Sequence, residues 1–165
     1  LQERLDHIRW LASQGWKVSS GFIAGLPGRP VEDAVQDLRT AAGLPLIGCS
    51  VSPFVPGEAT PLAGAAEGSF DITLNSMALL RLLQPDWVIP AVSALNLVGP
   101  GGGYRRGLRA GANLCTINLT PSEVRSDYLL YRRDRFIMNE ERVLEAIQAE
   151  GLSVSSQSLA GHLSA

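Results

Sequence analysis

Hydrophobic positions along the chain switch repeatedly between two periods. Leu1, Leu5, Ile8, Leu11 and Ala12 recur at helical spacing, and Gly15 stands where a C-terminal cap belongs. Val18 to Ala24 reads as a short strand ending at the turn formers Gly25, Pro27 and Gly28. Pro30 suits the first turn of a second helix, with Glu32 and Asp33 at its positive dipole end. Val31, Ala34, Val35, Leu38 and Ala42 form the apolar stripe of that helix, which Gly43 closes. Ile47 to Val55 predicts a second strand, and its mixture of Cys49, Val51 and small residues suits burial on both faces. A third helix, capped by Asp71, runs through Leu74, Met77, Ala78 and Leu82 and stops before Pro85. Val88 to Leu95 predicts a third strand, Tyr104 to Ala110 a short helix closed by Gly111, and Asn113 to Leu119 a fourth strand. Gly99 to Gly103 is a glycine-rich loop, and the stretch from Arg125 to Arg135 is irregular and rich in Arg and Tyr. Asn139 caps a last helix through Val143, Leu144 and Ile147 to Gly151, and Ser153 to Ala165 is a polar tail without periodicity.

Strands that alternate with helices predict an α/β fold with parallel pairing and right-handed crossovers. Four strand–helix units amount to half of an eight-fold barrel, and they also suffice for a small doubly wound sheet; periodicity leaves both open. Residues 1–151 are expected to form one unit, with 152–165 as a poorly ordered tail. The 165-residue chain is long enough for one core, and 45% hydrophobic against 18% charged residues marks it as globular rather than disordered. Because Leu1 stands first and a helical pattern begins at once, the chain is expected to be a piece of something longer.

Charge and composition narrow the partners. A net charge of −2 supplies no electrostatic reason to expect nucleic acid or an anionic membrane. The apolar run from Met77 to Leu83 is too short to span a bilayer, and no signal-peptide pattern is present. Cys49 and Cys115 lie far apart in apolar runs, which predicts free thiols in a reducing cytoplasm. His7 and His162 are the only histidines, so no histidine-based metal site is expected. Two distant cysteines are too few for a four-iron cluster. Lys17, the only lysine, precedes the first strand, which argues against Schiff-base chemistry at a strand end.

Parallel α/β folds gather ligands at the C-terminal ends of their strands. That rule selects residues 21–28, 52–61, 90–103 and 118–131, all rich in Gly, Pro, Ser, Thr or Asn. Gly21 to Gly28 lacks the Lys and the G-x-G-x-x-G run of a phosphate cradle; it reads either as a flat apolar wall for a purine or as a buried strand with a tight turn. Gly99 to Gly103, followed by Arg105, Arg106 and Arg109, reads either as an anion site or as a surface loop. Arg125, Tyr128 and Tyr131 recur at a spacing of three, so one helical turn would align a guanidinium and two phenols. Packing with snorkelled polar tips is the other reading.

Several of these segments carry a resemblance. Gly21-Phe22-Ile23-Ala24-Gly25-Leu26-Pro27-Gly28 followed by Glu32-Asp33, Ser52-Pro53-Phe54-Val55-Pro56 with Thr60-Pro61-Leu62, and Pro85-Asp86 with Ile89-Pro90-Ala91 occur in order. Ala110-Gly111-Ala112-Asn113 and Asn118-Leu119-Thr120-Pro121 complete the set. The pattern resembles the radical S-adenosylmethionine (SAM) superfamily, in the biotin and thiamine synthesis associated region of the HydE-type maturases, biotin synthase and methylornithine synthase. It covers Leu1 to about Gly151.

The resemblance implies the C-terminal half of a (β/α)8 TIM-type barrel, with four parallel strands. It implies that the parent enzyme binds SAM and a [4Fe–4S] cluster, cleaves SAM reductively to a 5′-deoxyadenosyl radical, and encloses a small-molecule substrate. Ile23 and Val55 would line the adenine site, with Gly25 and Phe54 beside them. Ser52, Ser93, Thr116, Asn118 and Thr120 would face the substrate, and Arg125, Tyr128 and Tyr131 would form a closing segment. The cluster loop is absent, so the chain alone is expected to be inactive and to need the missing N-terminal half-barrel or a second copy. Val92-Ser93-Ala94-Leu95 holds no Arg where biotin synthase uses one as a ligand, so no [2Fe–2S] cluster or sulfur insertion is expected. Two other readings compete: a barrel lyase or aldolase, and a stand-alone half-barrel that binds a ligand or dimerises without catalysis. A half-barrel leaves strand edges and apolar surface uncovered, so it should associate.

Overall fold

Parallel strand pairing organises the chain, as seen in a computed structural model that describes residues 1–99, 101–127, 131 and 137–163. Strand β1 (Ser19–Ala24) lies parallel to β2 (Gly48–Pro53), from Ser19 opposite Gly48 to Ala24 opposite Pro53. Strand β3 (Pro90–Ala91) lies parallel to β4 (Leu114–Cys115). A single parallel bridge, Gly48 to Val88, joins the two pairs. It is held by the Cys49 N–H on the Val88 carbonyl (3.0 Å) and the Val88 N–H on the Ile47 carbonyl (2.9 Å). The four strands therefore stand in chain order and share one direction.

Helices connect them. The described helices are α1 (Gln2–Ser13), α2 (Val31–Ala42), α3 (Phe70–Leu83), α4 (Leu95–Val98), α5 (Gly103–Arg109), α6 (Glu140–Ala149) and α7 (Leu159–His162), with a 3-10 turn at Ser122–Asp127. Sequence and structure agree on β1, α2 and α6 to within one or two residues, Pro30 serving as the extended N-cap of α2 and not as part of its first turn. The cap of α3 differs: Ser69 takes the Ile72 N–H (3.2 Å), and Asp71 lies inside the first turn, where it still faces the dipole. Asn139 caps α6 as expected, by accepting the Arg142 N–H (3.1 Å).

The third and fourth strands are much shorter than their apolar runs predict. Pro90 has no N–H to give a ladder, and the Asn113 side chain supplies the neighbouring bonds. Its Oδ1 accepts the Ile89 N–H (2.8 Å) and its Nδ2 donates to the Trp87 carbonyl (3.2 Å). Beyond Ala91 the chain turns into α4, so residues 92–95 are not a strand. The tail holds one ordered turn, α7, capped by Ser158 Oγ on the Gly161 N–H (3.1 Å).

One face of the strands carries the core. Ala24, Cys49, Val51, Ile89 and Ala91 are buried together with Leu38 and Ala41 of α2 and Leu74, Met77 and Leu80 of α3. Burial of large side chains such as Met77 and Leu80 is the main favourable term here, at about 1.5–3 kcal/mol each. On the other face, Ser19, Gly21 and Ile23 are exposed and Ser50 and Ser52 half-buried. Burial is thus one-sided, not two-sided as the residue types of β2 suggest. Small residues sit on the uncovered side.

A pair of arginines fastens α5 to the end of α6. Arg105 Nε donates to Glu150 (2.6 Å), Arg109 Nε donates to its other oxygen, and the Glu150 side chain is only 7% exposed. Hydrogen bonds from Arg109 and then Arg105 hold the Glu150 carboxyl below its ordinary range.

Asn113→Ala removes two strand-linking hydrogen bonds and is expected to lower unfolding stability by about 2 kcal/mol in denaturant titration. Glu150→Gln is expected to lower the Tm at about pH 7, and the deficit should shrink as pH falls toward about 3. The sign follows from the depressed carboxyl. Its stabilisation is present above the unfolded-state value and is lost as pH falls through the folded-state value.

Candidate functional site

The C-terminal ends of all four strands meet on one rim, and their trailing loops carry the polar residues. At the end of β1, three backbone segments converge. The Phe54 N–H donates to the Ala24 carbonyl (2.9 Å), and the Gly68 N–H donates to the Phe54 carbonyl (2.8 Å). Gly25 has φ +75°, and a Cβ there would stand 2.8 Å from the Gly68 Cα; a Cβ on Gly68 would stand 2.7 Å from the Ala24 oxygen. Neither position has room for a side chain, so the turn after β1 brings bare backbone to the rim.

Ile23 lies opposite Ser52 in register and is 46% exposed on the uncovered face. With Gly25, Leu26, Val31 and Ile72 it also lines a recess of about 40 Å³. That is room for about one water, far too little for a purine. A planar ligand would have to lie on the open face instead. Phe54 and Val55 are both buried and present little surface beside Ile23. Of the four residues expected around adenine, Ile23 and Gly25 are accessible together.

The polar residues form local groups rather than one ring. Ser52 is half-buried and its hydroxyl donates to the Pro53 carbonyl (3.2 Å). Ser93 is exposed, and its carbonyl accepts the Asn96 N–H (3.1 Å). Thr116 is engaged by Tyr104, whose hydroxyl lies 2.7 Å from the Thr116 Oγ1 and 2.9 Å from its carbonyl oxygen. Burial pushes the Tyr104 phenol above its usual range, so it stays protonated at neutral pH. Sequence reading placed Tyr104 only as a helix start. Its burial beneath α5 and reach to Thr116 depend on tertiary packing.

Asn118, Thr120 and Arg125 are linked. Asn118 Oδ1 accepts the Thr120 N–H (2.9 Å), and Arg125 Nη2 donates to the Thr120 carbonyl (2.7 Å). The Arg125 Nε is buried and has no hydrogen-bond partner among the described residues. Arg125 lies in the described 3-10 turn, and Tyr131 has a left-handed backbone, φ +66°. Tyr128 lies outside the described residues. The Tyr131 carbonyl accepts the Glu58 N–H (2.8 Å), which ties the segment after β4 to the loop after β2 across the rim.

No group of three or more His, Cys, Asp or Glu that could hold a metal ion occurs among the described residues. Cys49 lies fully buried in β2, and burial pushes its thiol up to about 11. Cys115 is shifted upward by the same cause. Among the described residues, no helix is long and apolar enough to cross a membrane.

No protein-family model matches the chain. It is 38% identical over 130 residues to the [FeFe] hydrogenase maturase subunit HydE of Thermotoga maritima, covering 79% of this chain and 37% of that protein. It is 34% identical over 147 residues to 3-methylornithine synthase of Methanosarcina barkeri, covering 86% of this chain and 41% of the relative. Biotin synthase of Akkermansia muciniphila is 29% identical over 111 residues, which cover 67% of this chain and 34% of that enzyme. The crystal structure of methylornithine synthase (PylB) superposes with a TM-score of 0.71 at 27% identity, over 93% of this chain and 45% of that one. The chain thus spans less than half the length of the relatives it matches.

Gly21 tests how tightly the open face is built. A Cβ there would lie 2.1 Å from Ser50 Oγ and 2.5 Å from the Ser50 carbonyl oxygen. Gly21→Ala is expected to cost about 1–3 kcal/mol of unfolding free energy, and Ser50→Gly should fail to restore it, because the backbone oxygen remains.

Proposed function

Because the chain belongs to the HydE/biotin synthase-like family of the radical SAM superfamily, we propose that it is the C-terminal half of a (β/α)8 barrel enzyme and forms one wall of its SAM and substrate cavity. The single observation that carries this reading is the arrangement of the strands. Four parallel strands in chain order are covered by helices on one face and lined by Ser19, Gly21, Ser50 and Ser52 on the other. Small residues on the concave side of a half-barrel leave volume for a ligand; large ones would fill it.

The fit to each expected group differs. SAM suits the residues present: bare backbone at Gly25 and the exposed Ile23 offer a flat apolar surface for adenine on the open face. A [4Fe–4S] cluster does not suit them, since Cys49 and Cys115 stand singly on different strands, the first buried and the second half-buried, and a cluster needs closely grouped thiolates. A cluster would have to be held by residues outside this chain, and bound SAM would supply radical hydrogen abstraction from the substrate. This chain's part is to bind, orient and exclude water. Ile23 and Gly25 hold the purine, while Phe54 and Val55 support the wall from behind. Ser52, Ser93, Asn118 and Thr120 offer uncharged hydrogen bonds to a small-molecule substrate. Thr116 is held by Tyr104, and Arg125 presents a positive charge at the rim. Residues 1–151 are the folding unit and 152–165 an appendage; the enzyme works in the cytoplasm, where reduced cofactors persist.

Anaerobic reconstitution of the full-length protein with iron and sulfide tests the reading. The expected result is reductive SAM cleavage to 5′-deoxyadenosine and methionine, with Ile23→Asp raising the KM for SAM about tenfold or more. Residues 1–165 alone should bind no cluster. Absence of SAM cleavage by a cluster-loaded full-length protein overturns the assignment. An unchanged KM in Ile23→Asp removes Ile23 from the adenine wall.

A further inference from the structure

The outer edge of β1 is the least finished part of the sheet. Strand β1 pairs with β2 on one side, and no described strand pairs with it on the other. The Val18 carbonyl accepts the Ile47 N–H (2.9 Å), and the Ala24 carbonyl accepts the Phe54 N–H (2.9 Å). In a parallel strand the N–H and C=O of one residue turn to the same side, and the side alternates along the chain. Val18, Ser20, Phe22 and Ala24 therefore face β2. The N–H and C=O groups of Ser19, Gly21 and Ile23 face the free edge.

Nothing in the strand protects that edge. Ser19-Ser20-Gly21-Phe22-Ile23-Ala24 carries no charge and no proline, and its register with β2 runs unbroken by a bulge. Those are the devices that keep a free edge from pairing. An edge six residues long without any of them is built to be paired. The approach to it is apolar as well. Trp16, just before the strand, is 67% exposed, and α1 buries Ile8 alone while Trp10 stands 60% exposed. Two large rings in water, leading into an open edge, mark surface that another segment covers.

Two occupants compete. A second copy offers its own β1 or its β4. Pairing β1 with itself about a two-fold axis is antiparallel; it widens the sheet and leaves both open faces in water. The β4 of a second copy offers two residues, Leu114–Cys115, against six in β1. By contrast, more than half of each relative lies outside the region matched here, which is ample chain for a full strand. We propose that the free edge of β1 docks a parallel strand of this same protein lying outside residues 1–165. The backbone groups of Ser19, Gly21 and Ile23 form its ladder, and Trp10 and Trp16 are covered beside it. This rests on the half-barrel reading above and names the seam at which the two halves join.

The test is amide hydrogen exchange of the full-length protein, read residue by residue. Ser20 and Phe22 face β2 and report whether the strand itself is formed. The expected result is that Ser19, Gly21 and Ile23 exchange about 100-fold or more slower than unstructured amides, at every protein concentration. Exchange of these three within about tenfold of unstructured amides overturns the proposal, whether or not Ser20 and Phe22 stay slow. Protection that is lost on dilution, together with a dimer mass by sedimentation, assigns the edge to a second copy and overturns it too. SAM cleavage by the same preparation separates this proposal from the one it rests on. Cleavage with unprotected edge amides defeats the seam alone, and protected edge amides without cleavage support the seam and defeat only the chemistry.

Discussion

One-sided burial of a parallel sheet governs this molecule. Side chains alternate across a strand, so every second residue of β1 and β2 must meet either the helices or the open side. Ala24, Cys49 and Val51 meet helices α2 and α3, and the core closes around them. Gly21, Ile23, Ser50 and Ser52 take the other side, where no described helix covers them. A register slip of one residue would exchange the two sets. It would place Ser50 and Ser52 in the core without partners and lift Val51 onto the open face. Fold and pocket therefore rest on the same alternation.

The rim follows from that arrangement. Parallel strands end on one side, so the loops after them are brought together whatever their separation in sequence. The contact between Glu58 and Tyr131 joins residues over seventy positions apart on that rim. Local hydrogen bonds then set the side chains: Asn118 holds Thr120, which in turn receives Arg125. Tyr104 reaches from α5 to Thr116 and couples the helix layer to the rim.

Two kinds of sequence signal proved informative to different degrees. Periodicity located α2 and α6 well, because an amphipathic stripe and a good cap report local structure. It overstated β3 and β4, because an apolar run reports burial and not ladder hydrogen bonds. Ile89 and Ala91 are buried as that run implies, yet Pro90 withholds an N–H, and Asn113 adds two side-chain bonds to its own N–H on the Ile89 carbonyl. Spacing of Arg125 and Tyr131 implies a shared face only if the backbone stays helical between them, and Tyr131 itself is left-handed.

By itself the sequence determined the α/β class, the parallel direction of the strands, the family, and the absence of enough neighbouring thiols for a cluster. These depend on residue type and order, which folding does not alter. Tertiary structure alone decided which face of the sheet is open, that Phe54 and Val55 are buried while Ile23 is exposed, and that Glu150 receives two arginines. It also set the Asn96 Oδ1 to accept the Tyr104 N–H. Each of these is a contact between distant segments, and its existence depends on distances that packing sets and spacing along the chain does not encode.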